Sequence, residues 1–194
     1  EMDEHWRFTN AAIWHCTMGE AFRIRRGGGF FRENAHEAAR ADMKRDIIAV
    51  VERLAARYAS EWVSEEAHLD NIQTVHQHLT EHWGHVLNDG MPSFGICQKL
   101  LNLYLKHLWC LGWVSDPPHF PVGRQIQDLM HLSDQHRIHW TSANDAEYMH
   151  VINCARRLKR ENECLAEFEL RLFNEEFALI KRGPITIGWT PSPW

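Results

Sequence analysis

Lys99 is the residue best placed in this sequence to do covalent chemistry. In Ser93-Phe94-Gly95-Ile96-Cys97-Gln98-Lys99-Leu100-Leu101-Asn102, a turn ending in Gly95 hands over to an apolar helix, with the lysine in its first turns. Backbone N–H groups at such a helix start can hold a phosphate. Burial and the positive end of the helix dipole both disfavour an ammonium ion, which lowers the pKa of an amine there. A neutral lysine attacks a sugar C1′ or a carbonyl and forms a Schiff base. Lys99, Asn102 and Lys106 are three and four residues apart and stack on one helical face. They read equally as the solvated strip of a helix that is buried elsewhere.

Aromatic residues follow. Trp109, Trp113, His119 and Phe120 could wall a stacking pocket for an extruded base, or belong to the core. Two arginine-rich stretches offer phosphate contacts: Arg23, Arg25, Arg26 and Arg32 around the Gly27–Gly29 turn, and Arg156, Arg157, Lys159 and Arg160 on a later helix. Both also fit ordinary solvated faces. His78, His82 and His85 share a helical edge, but no carboxylate or cysteine completes a ligand set, so no metal and no cofactor is expected. His136, Arg137 and His139 fall in a loop without a nuclease pattern. No serine sits on a nucleophile elbow.

From Gly95 to Arg124 the chain resembles the helix-hairpin-helix DNA glycosylases, in particular the 8-oxoguanine type with lyase activity. Their hairpin reads Gly-Val-Gly-Thr-Lys, and Gly95-Ile96-Cys97-Gln98-Lys99 can be laid over it, with Cys97 in place of the second glycine. Downstream the family carries Pro-Val-Asp at a helix start; here Pro121-Val122-Gly123 leads into Arg124. The resemblance implies that Lys99 attacks C1′ of a flipped, modified or damaged nucleotide. It also puts Gly123 where the family has the aspartate that assists departure of the base. On this reading the partner is DNA, with Gly95, Gln98, Asn102, Trp109, His119, Phe120 and Arg124 around the nucleotide and Arg23, Arg25 and Arg26 on phosphate. Residues 94–124 also look like an uncharacterised bacterial family with Gln-Lys-x-x-Asn and Pro-Pro-His elements, which implies no activity. A non-catalytic helical module binding DNA or a partner protein on the same surface is the alternative, and glycine at position 123 favours it.

The elements that must position these residues are helical. A first helix spans 4–18. Asn34 and Glu37 have capping-box spacing and open a long helix with the stripe Met43, Ile47, Val50, Leu54, Tyr58 and Trp62. A further helix begins near Ser64, buries Leu69, Ile72, Val75, Leu79, Trp83 and Val86, and stops at Asn88-Asp89-Gly90. The helix near 95–111 is apolar almost all round, the mark of a central element. Asp116-Pro117-Pro118-His119-Phe120-Pro121 is a stiff extended connection. Helices follow near 123–132, from Asn144 (with Glu147 completing a capping box) to Arg160, and over 163–181 with the stripe Leu165, Phe168, Leu172 and Phe177. Pro184 ends the last one.

The expected fold is therefore an all-α, compact helical domain spanning 1–194, with room for a helix-hairpin-helix element. The 194 residues, 44% hydrophobic and 24% charged, fit one globular core. A net charge of −5 argues against indiscriminate nucleic-acid binding but leaves room for a local basic patch. The absence of a long apolar run speaks against a membrane span. Five cysteines without a C-x-x-C pair, and an acidic start unlike a signal peptide, point to reduced thiols and a cytoplasmic location.

Overall fold

A computed structural model describes residues 3–22 and 29–180. Among these the fold is all-α: α1 (Glu4–Ala21), α2 (Glu37–Ser60), α3 (Glu65–Trp83), α4 (Phe94–Cys110), α5 (Arg124–Leu129), a 3-10 turn (Asp134–His136), α6 (Asp145–Leu158) and α7 (Leu165–Ile180). Arg23, Arg25, Arg26, Gly27, Gly28 and Pro184 lie outside the described residues. None of the described helices is long and apolar enough to cross a membrane. All five cysteines are free thiols.

α4 is the central element, packed by α1, α2, α3 and α6. Cys97, Leu100, Leu101 and Leu105 have no exposed surface. Each such leucine contributes roughly 1.5–3 kcal/mol through burial. Polar side chains then lock the neighbours in register. Tyr104 stacks on Trp14 of α1 at 4.4 Å and donates to Asn10. Asn10 and Trp14 both donate to Glu52 of α2. Between α2 and α3, Trp83 donates to Asp46, which also lies 2.6 Å from His78 Nε2.

Capping decides where the helices begin. Ser64 and Ser93 accept from the amides of Ala67 and Ile96. The box of Asn144 and Glu147 forms in both directions. The box expected from Asn34 and Glu37 does not form: α2 starts at Glu37 behind His36, which makes no side-chain cap. α2 also stops at Ser60, which leaves Trp62 beyond the helix and exposed rather than in the stripe. At the other end of the chain, Leu165 and Phe168 are buried while Phe177 is exposed.

Candidate functional site

The head of α4 is fixed by the segment 140–143. Ser93 donates to Thr141 O, and the Gly95 amide donates to Ala143 O. A Cβ on Gly95 would run into the Trp140 carbonyl oxygen, so only glycine allows this approach. The amides of Gly95, Ile96 and Cys97 are all satisfied within the protein, by Ala143 O, Ser93 Oγ and Ser93 O. The phosphate cradle expected at this helix start is therefore already filled by the chain itself.

One turn further on, two buried amides hold the extended strap 119–123. Gln98 donates to Val122 O at 2.7 Å and accepts from Val122 N at 3.0 Å, a two-way clamp of the kind a neighbouring strand would supply. It also donates to Gly95 O. Asn102 donates to Phe120 O at 3.1 Å and to Tyr148 OH at 2.9 Å. Both side chains are buried and position the strap, while Oδ1 of Asn102 is left without a partner.

The strap delivers Gly123 to Lys99. A Cβ on Gly123 would stand 2.5 Å from Lys99 Nζ. The amine thus fills the space in which a side chain at position 123 would begin. Gly123 is the N-cap of α5 and has φ −140°, a backbone that any residue can adopt. The Lys99 ammonium lies 5.2 Å from the centre of the Trp140 ring. Burial lowers the Lys99 pKa, the carboxylates Glu20 and Glu169 raise it again, and Lys106 adds to the lowering. The net direction is downwards. This is the direction a Schiff-base amine requires.

The strip on α4 is not solvated. Asn102 is buried, and Lys106 pairs with Glu169 at 2.9 Å. Glu169 is 3% exposed; burial pushes its carboxyl up, while Lys106 and Lys99 draw it down. Lys106 also lies 4.4 Å from the Phe173 ring centre. The sequence offered no route to Glu20 or Glu169, because their proximity to Lys99 depends on how α1 and α7 pack.

The expected aromatic pocket is dispersed. Phe120 packs in the core against Phe168. His119, 1% exposed, faces Tyr148 OH through Nδ1 at 2.9 Å. Trp109 donates to Asp116. Trp113 stands edge-on to Trp6 at 4.7 Å, on a cleft of about 480 Å³ shared with Tyr104 and Leu108. Arg124 is exposed and 3.7 Å from Asp128, which Arg137 also binds. Asp116 and Asp128 therefore each have their own partners.

Among the described residues of the two basic stretches, two arginines have carboxylate partners and Arg32 is held by main-chain carbonyls. Arg32 donates to Leu87 O, Arg156 pairs with Glu65, and Arg160 lies 3.7 Å from Glu175. On the histidine edge, His78 faces Asp46 and lies 4.5 Å from His82 between ring centres, while His85 stacks on Trp83.

A buried polar chain runs beneath the strap. His68 Nδ1 meets Tyr58 OH at 2.7 Å, and the His68 and His119 rings are 5.0 Å apart. Burial lowers both imidazole pKa values, with each ring's environment adding a further cation-disfavouring contribution from His119 or Arg156; His119 falls to about 3. The Nε2 atoms of both rings and Oδ1 of Asn102 are buried without a hydrogen-bond partner.

Comparison with known proteins returns little. A stretch of 68 residues is 34% identical to the F-box only protein 31 of Xenopus tropicalis; it is 35% of this chain and 12% of that protein. No family model and no solved structure matches the chain.

Proposed function

We propose that Lys99 is a Schiff-base amine and that the protein acts on DNA in the manner of a base-excision glycosylase/lyase, on a flipped modified or damaged nucleotide. The observation that carries this reading is the meeting of Lys99 Nζ with the α-carbon of residue 123. Those are the two positions that the glycosylase resemblance pairs as nucleophile and acid. The lowered pKa of the amine supports it further. On an abasic site the chemistry is simple. Nζ adds to the C1′ aldehyde, the carbinolamine loses water, and the resulting imine acidifies C2′–H, so that the bond to the 3′-phosphate oxygen breaks by elimination.

The missing carboxylate at 123 limits excision of an intact base, because no group there stabilises an oxocarbenium-like charge or relays a proton. It does not limit imine formation with an abasic sugar, which requires only the amine. The same glycine favours the second reading, a non-catalytic helical module that binds DNA or a partner protein. The partial likeness to an F-box protein covers too little of that protein to carry an activity across.

The test is borohydride reduction during incubation with duplex DNA containing an abasic site. A covalent protein–DNA adduct that is lost in Lys99→Gln supports the amine. Binding of the duplex without an adduct favours the non-catalytic module.

A further inference from the structure

We propose that His136, His150 and Cys154 form a binding site for a borderline-soft divalent ion of the zinc type, with three protein ligands and a fourth position open to water. His150 and Cys154 are four residues apart on α6 and share one face of it. The 3-10 turn brings His136 over that face from another part of the chain. His136 Nδ1 lies 3.1 Å from His150 Nε2, and His150 Nε2 lies 3.8 Å from Cys154 Sγ. One donor atom from each of the three residues falls within 4.8 Å of the other two.

Two of these spacings are close to those that one ion imposes. With Zn–N of about 2.0–2.1 Å and Zn–S of about 2.3 Å at tetrahedral angles, two nitrogens lie roughly 3.3 Å apart and nitrogen and sulfur roughly 3.6 Å. Without an ion, one neutral imidazole donates its N–H to the other across this distance; a metal ion would take both lone pairs instead. A nitrogen and thiolate set selects zinc-like ions and rejects magnesium and calcium, which take oxygen ligands. Binding releases the Cys154 S–H proton to solvent and changes no oxidation state. Arg157 donates to Cys154 Sγ at 3.2 Å. Both histidines are half-buried, which leaves an entry path while Cys154 stays sheltered. The bound ion would tie the 3-10 turn to α6. The site is separate from the Lys99 reading and stands or falls without it.

Cobalt(II) titration of the untagged, reduced, chelator-treated full chain tests the proposal. A near-ultraviolet thiolate-to-cobalt charge-transfer band that rises to stoichiometric saturation, with visible bands of four-coordinate cobalt, is expected, and zinc should displace it. Cys154→Ser should abolish the charge-transfer band. His136→Gln, on a surface turn where the fold is safe, should weaken cobalt affinity by more than the ~10–100-fold seen when a group that merely braces a ligand is lost. His82→Gln should change nothing. Absence of the band in wild-type protein whose circular dichroism shows it folded would overturn the site. So would a band that survives Cys154→Ser.

Discussion

The Lys99 amine lies against the α-carbon of Gly123, so closely that a Cβ there would stand 2.5 Å from Nζ. The near atom is the far end of a flexible side chain, and residue 123 has extended backbone. The site therefore has no need of glycine for backbone reasons.

Gly123→Asp should accordingly fold. Moving the Lys99 terminus costs about 0.5–1.5 kcal/mol if a rotamer is strained. Against this, an aspartate at the N-cap of α5 contributes a few tenths of a kcal/mol over glycine, and a loop residue less flexible than glycine adds roughly 0.4–1 kcal/mol. Urea denaturation should show a change in stability of no more than about 1 kcal/mol. The new carboxylate should also raise the Lys99 pKa and increase adduct formation on duplexes that carry an intact modified base. Loss of several kcal/mol would mean that the amine has no room to move.

The clamp on the strap gives a second expectation. Gln98→Ala removes the partners of both main-chain groups of Val122 and leaves its buried N–H and C=O unpaired. At about 1–3 kcal/mol for each of the two stranded groups, the loss should be about 2–6 kcal/mol in urea denaturation. A loss below 1 kcal/mol would show that the strap does not depend on Gln98.

Acid should destabilise the protein through His68 and His119. Both have folded pKa values below the ordinary value of about 6.5, so the neutral ring is the folded form. Below that value the unfolded chain takes up protons that the folded chain refuses, and stability falls; above it the contribution is complete. His119 faces His68, Tyr148, Glu65 and Arg156. Each buried ring should contribute a loss of about 2 kcal/mol between pH 7 and pH 5. His119→Gln should reduce the slope of stability against pH over that interval. An unchanged slope would contradict the assignment.

Much of this architecture was readable from residue patterns, and the exceptions have physical reasons. The nearly all-round apolar character of Ile96, Leu100, Leu101 and Leu105 marked α4 as central, which it is. The Asn144–Glu147 spacing marked a capping box that forms. Gln98 and Asn102 fall around the nucleotide only through the glycosylase resemblance. Their partners include the main chain of 119–123, an extended segment with no ladder of its own, and pattern alone does not distinguish a strap from a substrate. His150 and Cys154 have a readable i, i+4 spacing, but His136 joins them only through the fold. Asn34 failed as a cap because His36 takes that position.

The buried pair of Lys106 and Glu169 should be costly to break from one side. Lys106→Met strands a carboxylate that is 3% exposed. A loss of about 3–5 kcal/mol is expected, with much of it recovered in the double variant Lys106→Met/Glu169→Met. Thermal unfolding of the single and double variants measures both. No recovery in the double variant would place the cost in lost packing against Phe173 instead.

Peptide mapping of the borohydride-reduced adduct with abasic DNA shows directly which amine forms the imine. One dominant modified peptide, carrying the sugar remnant on Lys99, is expected, with little modification of Lys44, Lys106 or Lys159. An adduct spread over the exposed lysines, or located on a lysine other than Lys99, would contradict the assignment to Lys99.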